Sequence, residues 1–190
     1  MTRYVQQYIQ DQKAALESIP AEKVAELIAL FKNALNEDRQ VFAFGNGGSG
    51  TNASHFITDL GKSASDKAFR RFRCFSLSDN VSWITAIGND YAYEDVFLRQ
   101  LQNYARAGDI VLVMSVSGNS PNIVKAVEWC RQQGVKTIGL IGGNGGKLAE
   151  IADVIIAVDS AHYGRVEDCH MHICHMICYA FIEVESLQQP

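Results

Sequence analysis

Two clusters of side chains and two loops of this 190-residue chain carry groups able to do chemistry. His55 and Asp59 lie four residues apart in a stretch of helical character. At that spacing both project from one helix face and can converge on a single atom. An imidazole beside a carboxylate suits a metal ion or a proton transfer. The other four histidines, His162, His170, His172 and His175, gather late in the chain with Glu167 and Asp168 beside them. His170 and His172 are two residues apart and diverge on a helix, which leaves His170 or His175 for an inward-facing site.

Ser115, Ser117 and Ser120 precede Pro121, and a serine followed by proline marks a helix N-cap and first turn. Three hydroxyls and free backbone N–H groups at a helix N-terminus make a seat for an anion such as phosphate. No Lys or Arg lies in that loop, so hydroxyls, amides and the helix dipole would hold the anion. The plainer alternative is a serine-rich turn that binds only water. Gly45-Asn46-Gly47-Gly48-Ser49-Gly50 satisfies G-x-G-x-x-G after a strand, the context of a dinucleotide fingerprint. The acidic residue expected about 20 positions on is replaced by Phe69-Arg70-Arg71, which argues against a dinucleotide.

These residues need elements to hold them. Short apolar runs at Val41–Phe44, Arg73–Leu77, Ile110–Val116, Thr137–Ile141 and Val154–Val158 read as buried parallel strands. Helical stretches lie between them: Ser49–Leu60, Val81 through Ala105, Ser120–Gln133 and Gly146–Ala152, with a last helix from about Arg165 to Glu185. This alternation predicts a single α/β domain, a five-stranded parallel sheet with helices on both faces. Residues 1–36 read as two amphipathic helices forming an N-terminal extension suited to oligomerisation, and residues 37–190 as the ligand-binding domain. In such sheets ligands bind at the carboxyl ends of strands. The glycine loop and the serine loop follow strands there, and the loop Gly142–Lys147 reads as a more nearly structural turn.

Composition narrows the function classes. The net charge of −4 and pI of about 5.7 give no basic field for nucleic acid or an acidic membrane. No apolar run is long enough to span a bilayer. Met1 is followed by Thr2, Arg3 and an amphipathic segment instead of a signal core, so a cytoplasmic protein is expected. Five cysteines without framework spacing read as reduced thiols.

The loop Phe44–Ser49, His55-Phe56, Gly88-Asn89-Asp90, the loop Ser115–Ser120 and Arg165–His170 through His175 together resemble the phosphoheptose isomerase branch of the sugar isomerase (SIS) domain family. The resemblance covers essentially the whole chain. It implies isomerisation of sedoheptulose 7-phosphate to a heptose 7-phosphate through an enediol, for lipopolysaccharide or other glycoconjugates. It also implies substrate contacts from Asn46, Gly47, Gly48, Asn89, Asp90 and Glu167, with Ser115, Ser117 and Ser120 on the phosphate. A divalent metal, commonly zinc, falls on His55, Asp59, Glu167 and His175, with Asp59 as general base and His175 as general acid. The family is tetrameric. Some members are non-catalytic sugar phosphate sensors or bind a replication initiator; such relatives can lose the histidine at position 175, and it is present here. The chain departs from the family at Asp59 (usually Glu), Glu167 (usually Gln), Val116 (usually Thr), and Asn52 and Gly164 (often Asp). Glu167 and His175 are eight residues apart, about 12 Å along a continuous helix. Either that helix starts after Glu167, or the two belong to sites shared between chains.

Overall fold

The computed structural model describes residues 1–190. Two helices, α1 (Thr2–Glu17) and α2 (Ala21–Asn36), lead into β1 (Gln40–Gly45). Helix α3 (Gly47–Thr58) continues through a π-helical turn at Asp59–Ala64 into the short α4 (Ser65–Lys67) and then β2 (Arg73–Ser76). Next come α5 (Val81–Asp90), a 3-10 turn at Tyr93–Asp95, α6 (Leu98–Tyr104) and β3 (Ile110–Ser115). The chain closes with α7 (Pro121–Gln132), β4 (Lys136–Gly142), α8 (Leu148–Ile151), β5 (Val154–Val158), α9 (Tyr163–Glu183) and α10 (Glu185–Gln188).

The strands form one all-parallel sheet in the order β2-β1-β3-β4-β5. Alternation along each strand divides its side chains between two cores, because successive residues point to opposite faces. Val41, Ala43, Leu112 and Met114 face a core completed by α2, α3 and α9, where Leu27, Phe31, Phe56, Ile177 and Phe181 are fully buried. Phe42, Phe44, Val111 and Val113 face the other core, closed by Phe97, Leu101, Ile123 and Val127. Phe31 meets Phe56 edge-on at 5.6 Å and Phe72 meets Phe181 at 5.0 Å. Truncating a fully buried phenylalanine of this kind to alanine costs about 3–5 kcal/mol. The order reverses at β1, whose successors lie on opposite sides. The β1 and β3 carboxyl ends therefore open a crevice at the switch point, where open α/β sheets bind ligands.

Three features differ from the expected elements. The stretch from Val81 to Ala105 is interrupted, because the 3-10 turn drops Val96 and Phe97 into the core, Phe97 lying 4.8 Å from the Phe44 ring. The N-terminal helices divide in role. Helix α2 is built into the core, whereas Tyr4, Val5 and Ile9 of α1 remain exposed. Helix α9 starts before Glu167 and runs unbroken, since His162 Nδ1 caps it by accepting from the Arg165 N–H. A helix beginning after Glu167 is thereby excluded. All five cysteines are free thiols, and no helix is long and apolar enough to cross a membrane.

Candidate active site

Helices α3 and α9 pack against one another at the carboxyl end of β1, and their facing sides carry the reactive groups. On α3, His55 Nε2 lies 3.3 Å from Asp59 Oδ2. From α9, His175 Nε2 lies 3.6 Å from the same oxygen, and its ring stands 5.1 Å from that of His55. The three ligand atoms fall within 4.8 Å of one another. Asp59 opens the π-helical turn. A π-turn inserts an extra residue into the helical spiral and is frequent at functional sites. It is stapled by Ser65 Oγ, which donates to the Leu60 carbonyl at 2.9 Å and accepts from Phe72 N–H at 2.9 Å. Two imidazoles and one carboxylate match the protein donor set of a catalytic zinc site. The residues present therefore fit a divalent metal.

Glu167 is not brought to this group. It lies two turns earlier on α9 and lines a small pocket of about 80 Å³ with Asn46, Ser49, Ser115, Ser117, Ser120 and Tyr163. The three serines predicted to hold an anion thus do share one cavity. Ser115 Oγ accepts from Gly118 N–H and Ser117 Oγ from Asn119 N–H, both at 3.2 Å. Ser120 occupies the N-cap of α7, but its side chain makes no capping bond, which leaves the hydroxyl uncommitted. The cap is instead served by Asn122, whose Oδ1 accepts from Ile123 N–H at 3.0 Å. The serine loop is braced from behind by the Gly142–Lys147 loop: Leu148 N–H donates to the Gly118 carbonyl at 3.0 Å, and Lys147 N–H to Asn119 Oδ1 at 2.8 Å.

Asn46 joins this pocket to a larger cleft of about 290 Å³ lined by Gly47, Thr51, Ser54, Ser78, Tyr93 and Phe97 among others. Its side-chain amide is paired reciprocally with Asn122, at 2.9 Å and 2.8 Å, and its Oδ1 also accepts from the Tyr93 hydroxyl at 3.1 Å. Neither Asn122 nor Tyr93 was marked by the sequence as a site residue, and no local pattern could mark them. Their partner lies 76 and 47 residues away. Gly47 and Gly48 form the first turn of α3, and Asn52 Nδ2 ties that helix to α9 by donating to the Glu167 carbonyl at 2.8 Å. Asn89 and Asp90 sit exposed at the end of α5, bonded to each other at 2.9 Å, and line neither cavity.

The histidines of α9 separate as their spacing requires. His172 is exposed and its Nδ1 contacts the Asp168 carbonyl at 2.8 Å. His170 is fully buried with neither ring nitrogen in a hydrogen bond, and burial pushes its pKa down to about 4.

Residues 4–142 match the SIS domain family. Among curated proteins, the chain is 37% identical over 182 residues to the phosphoheptose isomerase of Geotalea daltonii, covering 94% of each. It is 36% identical to that of Rhodospirillum rubrum over 83% of this chain and 84% of the relative. Among solved structures, the phosphoheptose isomerase GmhA from Neisseria gonorrhoeae superposes with a TM-score of 0.88 at 30% identity, over 96% of this chain and 99% of that one. A phosphoheptose isomerase from Francisella tularensis superposes with a TM-score of 0.89 at 28% identity, over 96% and 98%.

Proposed function

Since the chain belongs to the SIS domain family, among its phosphoheptose isomerases, we propose that it is an aldose–ketose isomerase that converts sedoheptulose 7-phosphate to D-glycero-D-manno-heptose 7-phosphate. The observation that carries this reading is the joining, by α3 and α9, of a His-Asp-His group to a serine-lined pocket sized for one phosphoryl group. The product would feed cytoplasmic synthesis of lipopolysaccharide or another glycoconjugate.

The phosphate is assigned to Ser115, Ser117 and Ser120 at the α7 N-terminus, where hydroxyls and backbone amides replace a basic patch. Fixing that end of the substrate orients the reacting end. Asn46, held by Asn122 and Tyr93, presents its amide between pocket and cleft, where sugar hydroxyls would pass. Asp59 Oδ2 takes the contacts from both imidazoles, which leaves Oδ1 for the proton at C1 of the ketose. His175 delivers a proton to the oxygen at C2, giving the enediol. Return of the C1 proton to C2 and loss of the O1 proton then give the aldose. The same three residues, His55, Asp59 and His175, would hold a divalent metal, zinc by its donor set, and it would supply polarisation of the substrate carbonyl in place of the His175 proton.

The exposed Tyr4, Val5 and Ile9 of α1, with Tyr163, Met176 and Tyr179 of α9, support assembly as a homotetramer. Asn89 and Asp90, which line neither cavity of their own chain, are assigned to the site of a neighbouring copy. A coupled assay on sedoheptulose 7-phosphate, with and without chelator, tests the function. Turnover lost in Asp59→Asn with sugar phosphate binding retained supports it. Binding without turnover in the native protein would replace the isomerase by a phosphosugar sensor.

A further inference from the structure

The serine pocket holds a charge of the wrong sign for its assigned ligand. Glu167 lines it, and no Lys or Arg does. The carboxylate also lies directly on the first turn of α3. A Cβ built on Gly48 would crowd the Glu167 carboxylate, which would have to swing aside to admit it. The backbone beneath the carboxylate is held from two sides. Asn52 bonds the Glu167 carbonyl at 2.8 Å, and Arg165 Nη2 pairs with Asp11 of α1 at 2.6 Å.

The first turn of a helix presents unpaired N–H groups and the positive end of the dipole. Two such turns border this pocket, those of α3 and α7. Asn46, the N-cap of α3, makes no side-chain cap bond, because its amide is committed to Asn122 and Tyr93. The Glu167 carboxylate lies against Gly48 of that turn and places a negative charge beside it.

We infer that Glu167 is a specificity-determining residue: its carboxylate, in the serine pocket and against the first turn of α3, confines the phosphoryl group to the serines and the α7 N-terminus and weakens binding of any further negative charge. The favoured ligand class is then the monophosphate of an uncharged sugar, and sugar acids or bisphosphates with charge near α3 are disfavoured. The inference rests on the reading of the serine pocket as a phosphate site. A unit charge several ångströms from the ligand, at an effective dielectric of about 20–40, changes anion affinity roughly tenfold.

The test is titration of the full-length protein with inorganic phosphate, comparing wild type, Glu167→Gln and Glu167→Asp at low and high salt. Glu167→Gln should bind phosphate about tenfold more tightly at low ionic strength, and the gap should narrow in about 0.5 M salt, where the screening length falls to several ångströms. Glu167→Asp keeps the charge and should stay near wild type. A Glu167→Gln protein with unchanged thermal midpoint and equal or weaker phosphate binding overturns the inference while leaving the phosphate site standing. Absence of phosphate binding in all three proteins overturns the phosphate site itself, and the inference with it.

Discussion

Gly118→Ala should unlatch the serine loop, and its cost follows from two separate facts. Gly118 has φ +64°, in the left-handed region, where a side chain costs about 1–2 kcal/mol. A Cβ there would also lie 2.1 Å from the Gly145 carbonyl oxygen and 2.9 Å from its carbon. Those are backbone atoms that cannot rotate away, and forced overpacking of this kind costs about 1–3 kcal/mol more. The loss of stability should be roughly 2–5 kcal/mol, a fall of about 5–15 °C in melting temperature for a chain of this size. Gly47→Ala supplies the control. Gly47 has φ +54° but nothing within 4 Å of its Cβ position, so it should lose only the conformational part, about 1–2 kcal/mol. Thermal unfolding of the three proteins in one buffer, with a phosphate titration of each, measures both effects. Phosphate affinity should fall in Gly118→Ala, because the Leu148 and Lys147 braces to the loop are displaced. A Gly118→Ala protein that melts with Gly47→Ala would refute the reasoning, since the backbone contact would then carry no cost.

Asn122→Ala should remove both amide bonds to Asn46, costing about 1–3 kcal/mol in urea unfolding and raising KM more than it lowers kcat. The lowered pKa of buried His170, about 4, means that the unfolded chain, near 6.5, takes up the proton first. Stability from this group is therefore complete above about pH 6.5 and lost as pH falls toward 4, roughly 3 kcal/mol in all. His170→Gln should show a flatter acid limb in urea midpoints measured between pH 7 and 4.5. Burial pushes the Cys74 and Cys130 thiols up to about 11 and about 12. The folded protein should resist alkylation at pH 8, where thiols of the urea-unfolded chain react, as counted by intact mass. The same raised values mean that stability present below about pH 8.5 declines as the solution is made more alkaline.

Much of the scaffold was legible in the order of residues. Short apolar runs mark five strands, and each lies within a residue or two of its expected span. The loops after β1 and β3, at the carboxyl ends of their strands where ligands bind, border one cavity. The four-residue spacing of His55 and Asp59 puts them on one helical face, and across the junction of α3 with the π-turn they meet. All of these are local properties: hydrophobic period, turn chemistry and helical spacing act over fewer than a dozen residues.

The rest depended on how distant elements pack. Residue spacing allowed His170 or His175 as the inward histidine, and the resemblance assigned the metal to His175. Only the angle at which α9 crosses α3 sets His175 beside Asp59, buries His170 under β4, and seats Glu167 against Gly48, two turns from the His55-Asp59-His175 group. The Asn46–Asn122–Tyr93 connection likewise joins three elements with no shared local pattern. A sequence fixes which face of an element is apolar, because that follows from its own periodicity. It does not by itself fix where two faces touch along their length, because that register is chosen by close packing of side chains from both elements at once.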